Sequence, residues 1–185
     1  MKQLLKLPPK LKFFNCSGCL LLPSIPTLPD TLKKFFCNSV NVTKLPKLVD
    51  TSITVLEARS CIKLLEFPEL PATIELFDCQ DCILLNLLPK LPNSLRILIA
   101  NNCSSLKSIF AFPPNLRAIH CADCSNLSHF PEQFPVTLQL LDFRNCPELG
   151  EIPELNDGLK EIYYTGNPKI KLKSKNNSTM PYFLV

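Results

Sequence analysis

The sequence predicts an α/β-class solenoid: eight stacked repeats, each giving one short strand to a parallel sheet, backed by extended segments and short turns with little helix. Three observations predict it. Leu11, Leu32, Ile53, Ile74, Leu95, Leu116, Leu138 and Leu159 open the same phrase at steps of 21 residues, with a single step of 22. A period in that range means repeat units that each contact only their neighbours. After every opening residue, apolar and polar side chains alternate as they do in a strand. Most of the 18 Pro fall at one phase of the repeat, so the Pro bias is architectural and not a mark of disorder.

The elements follow in chain order. Residues 1–10 read as a partial repeat, with Leu4, Leu7 and Pro8 in phase with later outer-wall positions. Residues 11–170 hold the eight repeats. Counting from the opening residue, position 4 reads Phe14, Phe35, Leu56, Phe77, Leu98, Ile119, Leu141 and Ile162. Position 6 reads Cys16, Cys37, Ala58, Cys79, Ala100, Cys121, Phe143 and Tyr164. Positions 3 to 7 are therefore expected to form the strand, with 4 and 6 turned to the core. Position 9 is mostly Cys and position 12 mostly Leu, completing the inner wall. The second half reads Phe67-Pro-Glu-Leu70-Pro71, or Leu88-Pro-Lys-Leu91-Pro92. Pro fixes φ and removes an N–H, so this half should run as extended polyproline II. Two repeats are irregular: Val42, Leu45 and Leu48 come one step early, and Leu116 to Thr137 carries one extra residue near Phe134-Pro135. Residues 171–185 form a polar tail ending in an apolar Tyr182-Phe-Leu-Val185 segment that reads as a cap for the last repeat.

The formal charge is +4, from 20 basic and 16 acidic residues, with basic clusters at Lys2 to Lys12 and Lys169 to Lys175. That is too scattered for nucleic acid, which calls for a basic stripe. The start of the chain lacks the apolar run of a signal peptide, and no segment approaches the roughly 18 apolar residues of a membrane helix. The expectation is a cytosolic, reducing compartment, with the Cys as buried thiols.

The phrase LxxLxxxxCxxLxxLPxLPxxL, covering about Leu4 to Ile170, resembles that of leucine-rich repeats. The recurring Leu-Pro-x-Leu-Pro looks like the repeat regions of secreted bacterial effectors. The Cys at position 9, as in Asn102-Cys-Ser-Ser-Leu106, is similar to the repeats of plant intracellular immune receptors. The resemblance implies a leucine-rich-repeat solenoid with a curved parallel sheet on the concave face, used to hold a protein. If the bacterial likeness holds, the partner is a host protein met in the host cytosol. Effector ligases add a catalytic domain and plant receptors a nucleotide-binding domain; this chain is expected to hold repeats alone.

The CxxC pairs Cys16/Cys19, Cys79/Cys82 and Cys121/Cys124 invite a zinc reading, but each is position 6 plus position 9 of one repeat, and single Cys fill the same slots elsewhere. No metal or other cofactor is expected. Cys79-Gln-Asp81 and Cys121-Ala-Asp123 match the Cys-x-Asp text of effector ligases, yet both thiols should face the core, and His120 should point away from Cys121. No enzymatic activity is expected. Partner binding is assigned instead to the outward positions of the strands: Phe13, Val55, Leu76, Ile97 and Leu140 at position 3, Phe36, Ile99, His120 and Tyr163 at position 5, and Arg59 and Arg144 at position 7. An apolar seam beside charges, with aromatic and Arg anchors, is what protein interfaces use. Two other readings stay open: a scaffold or recognition fragment of a larger assembly, such as an immune receptor, and a Cys-based metal or redox protein.

Overall fold

The computed structural model describes residues 6–170, so Leu4 and the tail from 171 to 185, with its apolar end, lie outside the described residues. It holds one parallel sheet of eight strands in sequential order. The strands are β1 (Phe13–Asn15), β2 (Lys34–Phe36), β3 (Val55–Glu57), β4 (Leu76–Asp78), β5 (Ile97–Ile99), β6 (Ala118–His120), β7 (Leu140–Asp142) and β8 (Glu161–Tyr163). Equivalent positions pair throughout, as in Phe35↔Leu56 and Ile119↔Leu141. Among the described residues there is no helix. The Pro in each outer wall, such as Pro89 and Pro92, lack the N–H a helix needs.

Each strand spans positions 3 to 5, shorter than the 3 to 7 read from the alternation. The reason lies at position 8, where every repeat turns into the left-handed region: Gly18, Ser39, Ser60, Asp81, Asn102, Asp123, Asn145 and Gly166 all have φ between 54° and 76°. That backbone favours Gly, Asn and Asp, and it pulls the chain out of the sheet plane. The cross-repeat hydrogen bonds nevertheless continue past the strand, from Cys37 N–H to the Glu57 carbonyl (2.8 Å) and from Ser39 N–H to the Arg59 carbonyl (2.7 Å).

Positions 1, 4, 6, 9 and 12 make the core. In the fourth repeat these are Ile74, Phe77, Cys79, Cys82 and Leu85, all wholly buried. Burying each Leu, Ile or Phe stabilises the stack by about 1.5–3 kcal/mol. Two turns recur in most units. Position 12 donates to the carbonyl of position 9, as in Leu85 to Cys82 (3.0 Å), and the opening residue donates to the Pro three before it, as in Leu95 to Pro92 (3.0 Å). A hydroxyl just before the opening residue ties successive turns together: Thr73 Oγ1 donates to the Ile53 carbonyl (2.8 Å), and Ser94 Oγ to that of Ile74 (2.6 Å). The chain passes from turn to strand with its polar groups paired.

The irregular second repeat keeps Val42, Leu45 and Leu48 buried. In the 22-residue repeat the extra residue sits between His129 and Pro135. The outer-wall bridge Ser108↔His129 is still in step, and the Pro113–Leu116 and Pro135–Leu138 turns match. The wall bulges there into an open groove of about 790 Å³ beside Phe110, Phe112 and Phe130. Phe112 stacks on Phe134 (5.6 Å) and Phe130 meets Phe143 edge-on (5.9 Å).

Candidate functional site

The outward side of the sheet carries all the residues assigned to partner binding, on β1 to β8 and the two residues after each strand. Val55, Leu76, Ile97 and Leu140 form a half-buried row at position 3, and Ile99 and His120 lie half-buried beside them at position 5. The register that pairs Leu76 with Ile97 and Asp78 with Ile99 makes these rows continuous across the sheet. Phe13 is 49% exposed and meets the half-buried Phe36 edge-on at 5.2 Å. Apolar side chains here keep part of their area in water, and a docked surface would gain in proportion to the area it covers.

The two Arg anchors are already engaged. Arg59 Nε donates to Asp78 Oδ2 at 2.6 Å, and Arg59 also approaches Glu57 at 3.7 Å. Arg144 clasps Asp142 with two bonds, at 2.9 and 2.8 Å, and lies over the Tyr163 ring at 5.3 Å. The carboxylates hold both guanidiniums in the charged form, each chiefly by hydrogen bonding. Asp78 and Asp142 are buried although position 5 is an outward position. Burial raises the Asp78 carboxyl above its usual value, and the Gln80 amide and Arg59 only partly offset this. The phase of the repeat turns position 5 outward and gives no sign that these two Asp are buried. The signal for their pairing was the Asp-x-Arg spacing of Asp142 and Arg144, and the Arg59 to Asp78 step of one repeat less two. Tyr163 Oη donates to Glu161 at 3.0 Å, which raises the phenol.

The thiols form a ladder inside the solenoid. Position 9 donates to the position 6 carbonyl of the repeat before it: Cys61 to Cys37, Cys82 to Ala58, Cys103 to Cys79, Cys124 to Ala100 and Cys146 to Cys121, at 3.1–3.2 Å. In the eighth repeat Asn167 Nδ2 takes over, donating to the Phe143 carbonyl at 2.8 Å. Cys19 is the exception: it occupies position 9 of the first repeat, yet it is exposed, which corrects its assignment to the inner wall. Burial pushes the Cys79 and Cys121 thiols well up and Cys16 up to about 11. A thiol held protonated in this way is a poor nucleophile and a poor metal ligand. Among the described residues, no three His, Cys, Asp or Glu stand together as a metal site would need. Nor does any buried side-chain nitrogen or oxygen there lack a hydrogen-bond partner.

No family model matches the chain, and no curated protein matches it. Among solved structures it is similar to YopM from Yersinia enterocolitica WA-314, at 26% identity and a TM-score of 0.73 over 88% of this chain. The chain spans about a third of that protein's length, matching 35% of it. A leucine-rich repeat protein from Bacteroides ovatus ATCC 8483 overlays loosely, with 16% identity and a TM-score of 0.39, over 90% of this chain and 70% of its own. The parallel strand order, the 21-residue register and the overlay on YopM together give this chain the leucine-rich-repeat fold.

Proposed function

We propose that this chain is a protein-binding module that holds its partner across the outward face of the sheet and catalyses no reaction. The observation that carries the reading is the row of half-buried apolar side chains at Val55, Leu76, Ile97, Ile99 and Leu140, on a scaffold in which, among the described residues, every buried side-chain nitrogen and oxygen has a hydrogen-bond partner. Eight strands about 4.8 Å apart span roughly 34 Å, enough for a standard interface. The effector-like Leu-Pro-x-Leu-Pro phrase and the similarity to a Yersinia protein support a bacterial protein that engages a host protein in the host cytosol. The burial of the Cys79 and Cys121 thiols supports the absence of nucleophilic catalysis at the two Cys-x-Asp sequences.

The test is affinity capture from eukaryotic cell lysate, comparing the native chain with a folded Phe36→Glu, Ile99→Glu, Tyr163→Glu variant. A partner held by the first and lost by the second is the expected result. Partners shared equally by both chains would move the binding surface off the sheet.

A further inference from the structure

Position 2, at the entry to each strand, carries Lys12, Lys33, Thr54, Glu75, Arg96, Arg117, Gln139 and Lys160. All but Thr54 are exposed, and the row runs directly alongside the apolar residues of position 3. Its cations are unlike those at position 7. Arg59 and Arg144 are spent on Asp78 and Asp142, and the remaining acids on this face, Glu57 and Glu161, have Arg59, Asn38 and Tyr163 as partners. Within the position 2 row there is one acid, Glu75, and it reaches only Arg96, at a distant 3.9 Å between half-exposed groups. Such a contact contributes little. Among the described residues, the side chains of Lys12, Lys33, Lys34, Arg117 and Lys160 have no acidic partner. Asp78 and Asp142 are thus met by Arg, Glu57 shares Arg59, and Glu161 is met only by a neutral phenol. Of the exposed position 2 cations, Arg96, Arg117 and Lys160 flank the β5 to β8 part of the sheet face, beside Ile97 and Leu140, and Lys12 and Lys33 flank β1 and β2.

Building on the sheet-face reading, we infer that the partner is an acidic protein segment, one that lays apolar side chains on the Val55–Leu76–Ile97–Leu140 row and carboxylates against Arg96, Arg117 and Lys160. Complementary rim charge of this kind fixes register and speeds encounter, and Arg clusters are a recurrent means of reading acidic motifs. A single-stranded nucleic acid would also meet the cations, but it needs aromatic platforms for its bases. The neighbouring row is aliphatic from β3 to β7, which favours protein.

The experiment is selection of binders to the native chain from a phage-displayed library of random peptides. Two counter-proteins accompany it, Lys33→Glu, Arg117→Glu, Lys160→Glu and Ile97→Ser, Ile99→Ser, together with a fluorescent oligodeoxythymidine as nucleic-acid probe for the native chain. Both variants are accepted only if their unfolding midpoints match the native one. The expected result is enrichment of peptides with Asp or Glu beside apolar residues, with at least tenfold weaker binding to either variant and loss of affinity in high salt. Apolar peptides without acidic bias, lost by the Ser variant but kept by the charge-reversed one, would overturn the acidic partner while sparing the sheet-face reading. Peptides kept by both variants, or no enrichment at all, would overturn both. Tight oligonucleotide binding released by charge reversal would replace the acidic segment by a nucleic acid.

Discussion

Replacing Arg59 by Ala should destabilise the solenoid in a pH-dependent way. The Asp78 carboxylate is wholly buried and its side chain receives the Arg59 Nε at 2.6 Å. Removing one partner of a buried pair costs about 3–5 kcal/mol. Two features reduce that here. The Arg59 side chain is 43% exposed, so water reaches the site, and the Gln80 amide still donates to Asp78 at 3.1 Å. We expect about 2 kcal/mol near neutral pH, or a fall in melting temperature of roughly 4–8 °C for a chain of this size. The sign with pH follows from the direction of the shift. Burial raises the folded-state carboxyl above its ordinary 3.8, so the stability contributed by its neutral form is full below that value. It is lost as pH rises through the folded value. Deleting Arg59 raises the folded value further, so the cost of Arg59→Ala should be small in acid and grow as pH rises through the carboxylate range. Urea unfolding of both chains, near neutral pH and near the acid end, measures this. The double variant Arg59→Ala, Asp78→Ile should recover most of the loss, because other repeats already hold Ala122 and Ile99 at those positions. An unchanged midpoint at neutral pH, or the same loss in acid, would refute the reasoning.

Two further outcomes are expected. With an aromatic disulfide reagent, the exposed Cys19 should titrate at once in the folded chain, and the nine buried thiols only on unfolding; a Cys19→Ser chain that still shows a fast thiol would contradict the thiol ladder. At position 8, Asn102→Val should cost about 1–2 kcal/mol, since a β-branched residue resists left-handed backbone. Asn102→Gly should cost less, losing only the Nδ2 bond to Asp81 (2.8 Å). Denaturant melts that rank the two variants in the other order would rule out backbone strain as the cause.

How much of this was legible in the sequence depends on the range of the interaction. The strand positions, their parallel order and the core at Ile74, Phe77 and Leu85 follow from the period alone, because every unit repeats one local pattern of burial. The left-handed position 8 was also written there, as Gly, Ser, Asp or Asn in all eight repeats, but a reading directed at apolar residues passed over it. So was the hydroxyl before the opening residue, at Thr73 and Ser94. The fates of Asp78 and Arg59 were harder to read, because their contact joins adjacent repeats at different positions. Phase says that both lie outward, not that one side chain folds over the other. Cys19 shows the limit of averaging over repeats: its slot is a core slot only where a preceding turn supplies both the cover and the carbonyl that its counterparts bond.

The extra residue between His129 and Pro135 leaves the strand register untouched, with Ile119 still opposite Leu141. The two walls therefore differ in what they can absorb. The strand side behaves as a fixed ruler, in which one inserted residue would turn every outward side chain inward. The Pro-rich side is slack, able to change length without any change at the sheet. Insertions between Pro131 and Gln133 could add a loop or a second binding element while the sheet face kept its spacing. One wall is thus open to changes in length while the other is held by its register.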